Sequence, residues 1–308
     1  MLDELFLCAA VTAKDVLQVV LQQRYHAWQR LHRIWSKNEW EALNERQSPV
    51  STMQARKLQQ LLRQRKISTP VRKEKQRAVY QFVLRNSPNI SDGHFSTISN
   101  ADLGLLFQIT DEHFFDGMLG SICEQTSSKP LSFRLSTRMT TTGGMTTMQQ
   151  ARTLKSLPDF EIAIATTPLF DTFRVDGDAK VGGLVCYNRL EALQRIMEHE
   201  MLHLAELLLF RDSNCSAKPF KNSVRQLFGH TESNHTLLTP KDVARKKLGI
   251  ACGDEVTFLV DGQRYRGFVN RITKRATVLV VDPKGIRYDD GQRYSKFYVP
   301  LAMLKRAG

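Results

Sequence analysis

Cysteine is scarce and scattered in this chain of 308 residues: Cys8, Cys123, Cys186, Cys215 and Cys252, with no C-x-x-C pair among them. An odd, dispersed set of this kind builds neither a disulfide framework nor a cysteine-rich zinc finger, and it fits a reducing compartment. Long apolar runs are also missing, since no stretch approaches the roughly 18 residues that a membrane span needs. The first residues, MLDELFLCAAVTAKD, carry acids where a secretory signal carries a basic region. The expectation is a soluble, cytoplasmic protein with no membrane partner.

Acidic residues are fewer than basic ones, 31 Asp and Glu against 44 Lys and Arg, and the imbalance is uneven. Residues 1–100 carry 16 basic and 8 acidic residues, residues 241–308 carry 15 and 7, and residues 101–240 carry 13 and 16. Two basic flanks around a near-neutral centre point to a polyanionic partner, DNA or RNA, met through phosphates. With 42% apolar residues the chain can build real cores, and its length suits two or three domains.

The expected order is a basic helical region over 1–99, an α+β domain over 100–239 and a small β-barrel over 240–308. In the first region, residues 16–40 show helical spacing and SPVST (48–52) a break. MQARKLQQLLRQRKI then reads as a basic helix closed by Pro70, and Arg63, Arg65, Lys66, Arg72, Lys73, Lys75 and Arg77 form the densest charge run. NSPNISDG (86–93) reads as a linker. In the second, ADLGLLFQITDEHFFDGMLGSI is an amphipathic helix, LSFRLSTRM a strand, TTTGGMTT a turn at Gly143–Gly144 that folds the strand back, and FEIAIAT another strand. In the third, alternating residues around Asp261–Gly262, Pro283–Lys284–Gly285 and Asp290–Gly291 suggest five short strands in an SH3-like barrel of general Tudor/KOW type. There Arg and Lys interleave with Tyr265, Tyr288, Tyr294 and Phe297, a mixture suited to nucleic-acid backbones and bases.

One stretch carries chemistry. In RIMEHEMLHLAELLLF, His199 to His203 read H-E-x-x-H within an apolar stripe of helical period, expected as a helix over 188–210. With 8 histidines in the chain, a chance match is roughly a one-in-a-hundred event before the helix requirement is added. On a helix, positions i and i+4 stack on one face. His199 and His203 can therefore meet one zinc ion (Zn2+), with Glu200 beside it to hold a water.

"LFQITDEHFFDGML", "LSTRM" before a turn and "HEMLHL" together resemble the SprT-like zinc metalloprotease family, which includes Spartan-related proteases. The resemblance covers about residues 101–235. It implies a zincin-like peptidase fold, a protein substrate that in eukaryotic members is crosslinked to DNA, His199 and His203 as zinc ligands, and Glu200 as catalytic base. The chain departs from the family at the third ligand. Where a G-H-x-x-x-F histidine is expected, NCSAKPF holds Cys215 and Ser216. His230, His235 and Cys215 are the alternatives. A return helix over 217–228 would bring His230 level with His199, at 1.5 Å per residue, which favours His230. The rival reading is a weakly active or inactive zinc-binding protein that holds nucleic acid or protein through its basic C-terminal unit.

Overall fold

Alternation of apolar and polar residues along the chain builds two separate cores, one running from Leu58 to Leu237 and the other from Ala244 to Leu304. The computed structural model describes residues 53–149, 157–175 and 177–307. The helix expected over 16–40 and the break at 48–52 lie outside the described residues.

The architecture is α+β. Helices α1 (Met53–Gln64) and α2 (Thr69–Asn86) precede α3 (Asn100–Phe115) and α4 (Met118–Thr126). Pro70 does not close the first helix. It sits in the first turn of α2, where its missing N–H has no intrahelical partner to lose. Nor does the first core divide near residue 99, because Leu58, Val79 and Val83 pack in it with Leu103 and Leu106. The segment expected as a linker is a fitted connection. Ser87 Oγ donates to Asp102 at 2.6 Å, Asn89 Nδ2 to Asp102 at 2.8 Å, and Ile90 is buried.

Strands β1 (Ser132–Ser136), β2 (Gly144–Gln149) and β3 (Asp159–Ala165) form a sheet of order β1-β3-β2. β3 pairs parallel with β1 and antiparallel with β2. The expected hairpin between β1 and β2 is therefore absent, and β3 lies between them. Central position explains the sequence of β3, whose FEIAIA run is mostly buried. Helix α5 (Thr166–Val175) and the hairpin β4 (Ala179–Val181)–β5 (Leu184–Cys186) lead to α6 (Arg189–Phe210). Asn188 caps α6 by accepting the Glu191 N–H at 2.9 Å. Its Leu190, Leu193, Met197, Met201, Leu204 and Leu208 are buried, so α6 runs through the core. Helix α7 (Lys218–Phe228) returns from it. No described helix is long and apolar enough to cross a membrane.

The second core belongs to α8 (Pro240–Leu248) and an antiparallel sheet of β6 (Glu255–Val260), β7 (Gln263–Ile272), β8 (Arg275–Arg287), β9 (Arg293–Pro300) and β10 (Lys305–Arg306). The order is β10-β6-β7-β8-β9, with no described pairing between β9 and β10, so the sheet is open rather than a closed barrel. Asp261 and Gly262, both at positive φ, make the tight β6–β7 turn. Pro283–Gly285 does not turn the chain. It is a bulge within β8, since Val281 and Ile286 both face Tyr294, and the reversal comes later, around Asp290–Gly291.

Candidate metal centre

The four-residue spacing acts as the helix geometry requires. His199 Nε2 and His203 Nε2 lie 3.2 Å apart on one side of α6. Two imidazole nitrogens on one tetrahedral zinc, each at about 2.0–2.1 Å, would be roughly 3.3–3.4 Å apart, so the pair already has the required separation. Burial pushes the pKa of His199 down to about 3, with His203 nearby adding to the effect, and that of His203 down to about 4. Both rings are thus neutral near pH 7, the state that offers lone pairs to a cation. Phe220 of α7 backs both, with ring centroids 5.0 Å from His199 and 4.6 Å from His203.

The loop after α6 completes the group. Arg211 takes a left-handed conformation, φ 59°, and turns the chain back at the helix end. Ser213 Oγ then donates to Glu206 Oε2 at 2.6 Å and lies 2.7 Å from His203 Nδ1. Its one proton goes to the carboxylate, so it accepts from His203 Nδ1–H, and Nε2 keeps the lone pair that faces His199. A carboxylate that orients a ligating histidine in this way is a recurrent feature of zinc sites. Asn214 N–H also bonds Glu206 and holds the loop, while burial raises the Glu206 pKa. Two residues beyond Ser213, Cys215 brings its sulfur to the histidines. The ligand atoms of His199, His203 and Cys215 all lie within 4.8 Å of one another. This donor set of two imidazoles and a thiol suits zinc.

His230 and His235, the other candidates for third ligand, are placed differently. His230 is buried, and its Nε2 lies 3.0 Å from Glu198 Oε2, with Nδ1 left without a partner. Glu198 also contacts Arg195 and receives Gln76 Nε2 at 3.2 Å. Burial alone would raise the Glu198 pKa, but Arg195 and His230 hold it below the usual carboxylate value. The return helix does bring His230 to the level of His199 along α6, but it meets the neighbouring residue, Glu198. His235 lines the cleft without joining the three-ligand group.

Glu200 is buried beside the histidines, and this pushes its carboxyl up to about 7, against the opposing hydrogen bonds of Thr146. Thr146 Oγ1, on β2, is 2.8 Å from Glu200 Oε2 and 2.9 Å from the Glu200 backbone oxygen. β2 approaches this closely because Gly144 has no side chain. A Cβ there would come within 2.7 Å of Glu200 Cγ and Oε1. The two glycines expected to turn a hairpin thus serve contact with α6. Glu200, His199, His203 and Cys215 open onto one cleft of about 490 Å³, lined also by the chain from Thr141 to Thr146.

Sequence reading missed Ser213, Glu206 and Thr146. Glu206 carried a weak signal, three residues beyond His203 on the same helix, whereas Ser213 and Thr146 come from segments that only folding brings near. Compared with protein-family models, curated proteins and solved structures, the chain shows no match to any of them.

Proposed function

We propose that this chain is a zinc-dependent peptidase of the SprT-like kind, with His199, His203 and Cys215 as ligands and Glu200 as general base. The observation that carries the reading is the convergence of two neutral imidazoles, a thiol and a buried carboxyl on one cleft. When bound, zinc would supply a Lewis acid for the scissile carbonyl and make an attacking water more acidic. Glu200 takes the water proton and passes it to the leaving amine. Thr146 orients that carboxyl. β2 is an edge strand whose start lines the cleft, so an extended substrate can pair with its backbone, which would make cleavage depend little on sequence.

The test is to measure zinc per chain in the purified protein and cleavage of an unfolded protein, with and without nucleic acid. About one zinc and chelator-sensitive cleavage are expected. Zinc without cleavage would favour the rival reading of a binding protein. The third ligand has its own test. Cys215→Ser is expected to weaken zinc retention by about 100-fold or more, beyond the cost of losing an outer partner. His230→Ala should keep zinc and instead lose about 2 kcal/mol of stability, as the buried Glu198 carboxylate loses a hydrogen-bond partner. Zinc loss in His230→Ala with retention in Cys215→Ser would return the role to His230.

The C-terminal sheet supports a nucleic-acid partner. Residues on the face away from the core include Phe268, Tyr298, Arg271 and Lys296, with Phe268 43% and Tyr298 65% exposed. Exposed rings among cations offer stacking and phosphate contact together. Arg271, Lys274 and Arg275 are all exposed around the β7–β8 turn. Replacing the three in the full chain is expected to flatten the log–log salt dependence of binding by about 2–3 units, at 0.7–0.9 per phosphate contact. An unchanged slope would place the contacts elsewhere. In the basic run of α1–α2, by contrast, Arg65 is paired with Asp116, and Lys75 is bonded to the His113 carbonyl.

A further inference from the structure

His235 faces the same cleft without being one of the three converging ligands, and its hydrogen bonding determines what it can offer there. The Leu237 backbone N–H donates to His235 Nδ1 at 3.2 Å. Nδ1 is therefore an acceptor, and a neutral ring must carry its proton on Nε2. Nε2 has no hydrogen-bond partner among the described residues, yet the residue lines the cleft with His199, Glu200 and His203.

Backbone pairing holds the segment that carries the ring, and Gly143 meets the ring itself. The Asn234 carbonyl accepts from Gly182 N–H at 2.9 Å, Thr236 N–H donates to the Lys180 carbonyl at 2.8 Å, and Val181 bridges His235 itself. The Cβ that Gly143 lacks would lie 3.2 Å from His235 Cδ2. We infer that His235 is a further catalytic residue, whose Nε2–H donates to the oxygen of the scissile carbonyl as that oxygen gains negative charge.

The inference rests on the peptidase reading. In the reaction, the water oxygen bonds to the carbonyl carbon and the π pair moves to the carbonyl oxygen. The C–N bond then breaks as that pair returns, and the amine takes the proton that Glu200 carried. A ring with a proton on Nε2 cannot take the water proton at that atom, so its partner must be an acceptor. A peptide in the cleft presents carbonyl oxygens as acceptors. A fixed donor stabilises such an oxygen most when it becomes anionic, so its effect falls on kcat rather than on KM.

His235→Ala and His235→Gln in the full chain test this, with zinc content, melting temperature, kcat and KM measured for each. A phosphinic peptide that mimics the tetrahedral oxyanion provides a binding readout. Expected for His235→Ala are full zinc, a KM within about threefold and a kcat lower by about 10²–10³-fold, the scale for loss of one oxyanion donor. Affinity for the phosphinic peptide should fall in parallel, and His235→Gln, which restores an N–H donor, should recover part of kcat. Loss of zinc in His235→Ala would make the residue a ligand and overturn the inference, as would an unchanged kcat or a fall in KM terms alone. If the variant melts early, the Gln variant decides: equal losses in two variants, with the Gln protein stable, also overturn it. A wild-type chain that holds zinc but cleaves nothing overturns the peptidase reading and this inference with it. An active wild type matched by His235→Ala overturns the inference alone.

Discussion

Glu200→Gln is expected to retain zinc and to lower cleavage by about 10²-fold or more, the usual scale for loss of a general base. Glutamine keeps the length and shape of the side chain, and the Thr146 hydroxyl can donate to its amide oxygen as it does to Glu200 Oε2. Position and packing are thereby preserved, while the site loses the one group placed to accept the water proton. Zinc should stay, because the three proposed ligands are untouched. Measuring zinc and kcat on the same preparation separates the two effects. Full activity in Glu200→Gln would remove Glu200 from the mechanism, and loss of zinc would show that it supports the ligands instead.

The second large effect is expected for His199→Ala and His203→Ala, each of which should leave the chain without stoichiometric zinc and without activity. Either change leaves two of the three proposed ligands, too few for the closed side of a tetrahedral site. The consequences for the fold should differ between the two. His203 also receives support from Ser213, which bonds Glu206, so His203→Ala leaves that hydroxyl without one partner and loosens the loop carrying Cys215. His199→Ala removes a ring packed on Phe220 but leaves the loop's bonds intact. Metal analysis after dialysis, with melting temperatures for both, tests this. A full complement of zinc in the double variant would refute the site.

Some of this was legible in the sequence because it depends only on local geometry. The i, i+4 spacing of His199 and His203 becomes a shared face as soon as backbone hydrogen bonds form a helix, whatever packs around it. Asn188 stood at the expected start of that helix, and alternation marked β1. The Asp261–Gly262 and Asp290–Gly291 turns follow from the conformations that those residues accept. Other features were decided by tertiary structure. Counting residues along α6 and α7 placed His230 at the right height, but height does not set the direction around the helix, and packing turned it toward Glu198. Gly143 and Gly144 read as a turn because glycine permits turns. Here the absent Cβ instead admits Ile196 and His235 beside one glycine and Glu200 beside the other, a need visible only once β2 and α6 are in contact. Cys215, beside the position where the family motif would place its histidine, reaches the histidines because Arg211 reverses the chain and Glu206 holds the loop. Local sequence determined the two imidazoles and their carboxyl. The thiol of Cys215, the Ser213 hydroxyl beside His203 and the ring of His235 came from segments joined by packing, because contacts between distant segments depend on how whole elements dock, which no pattern within one element records.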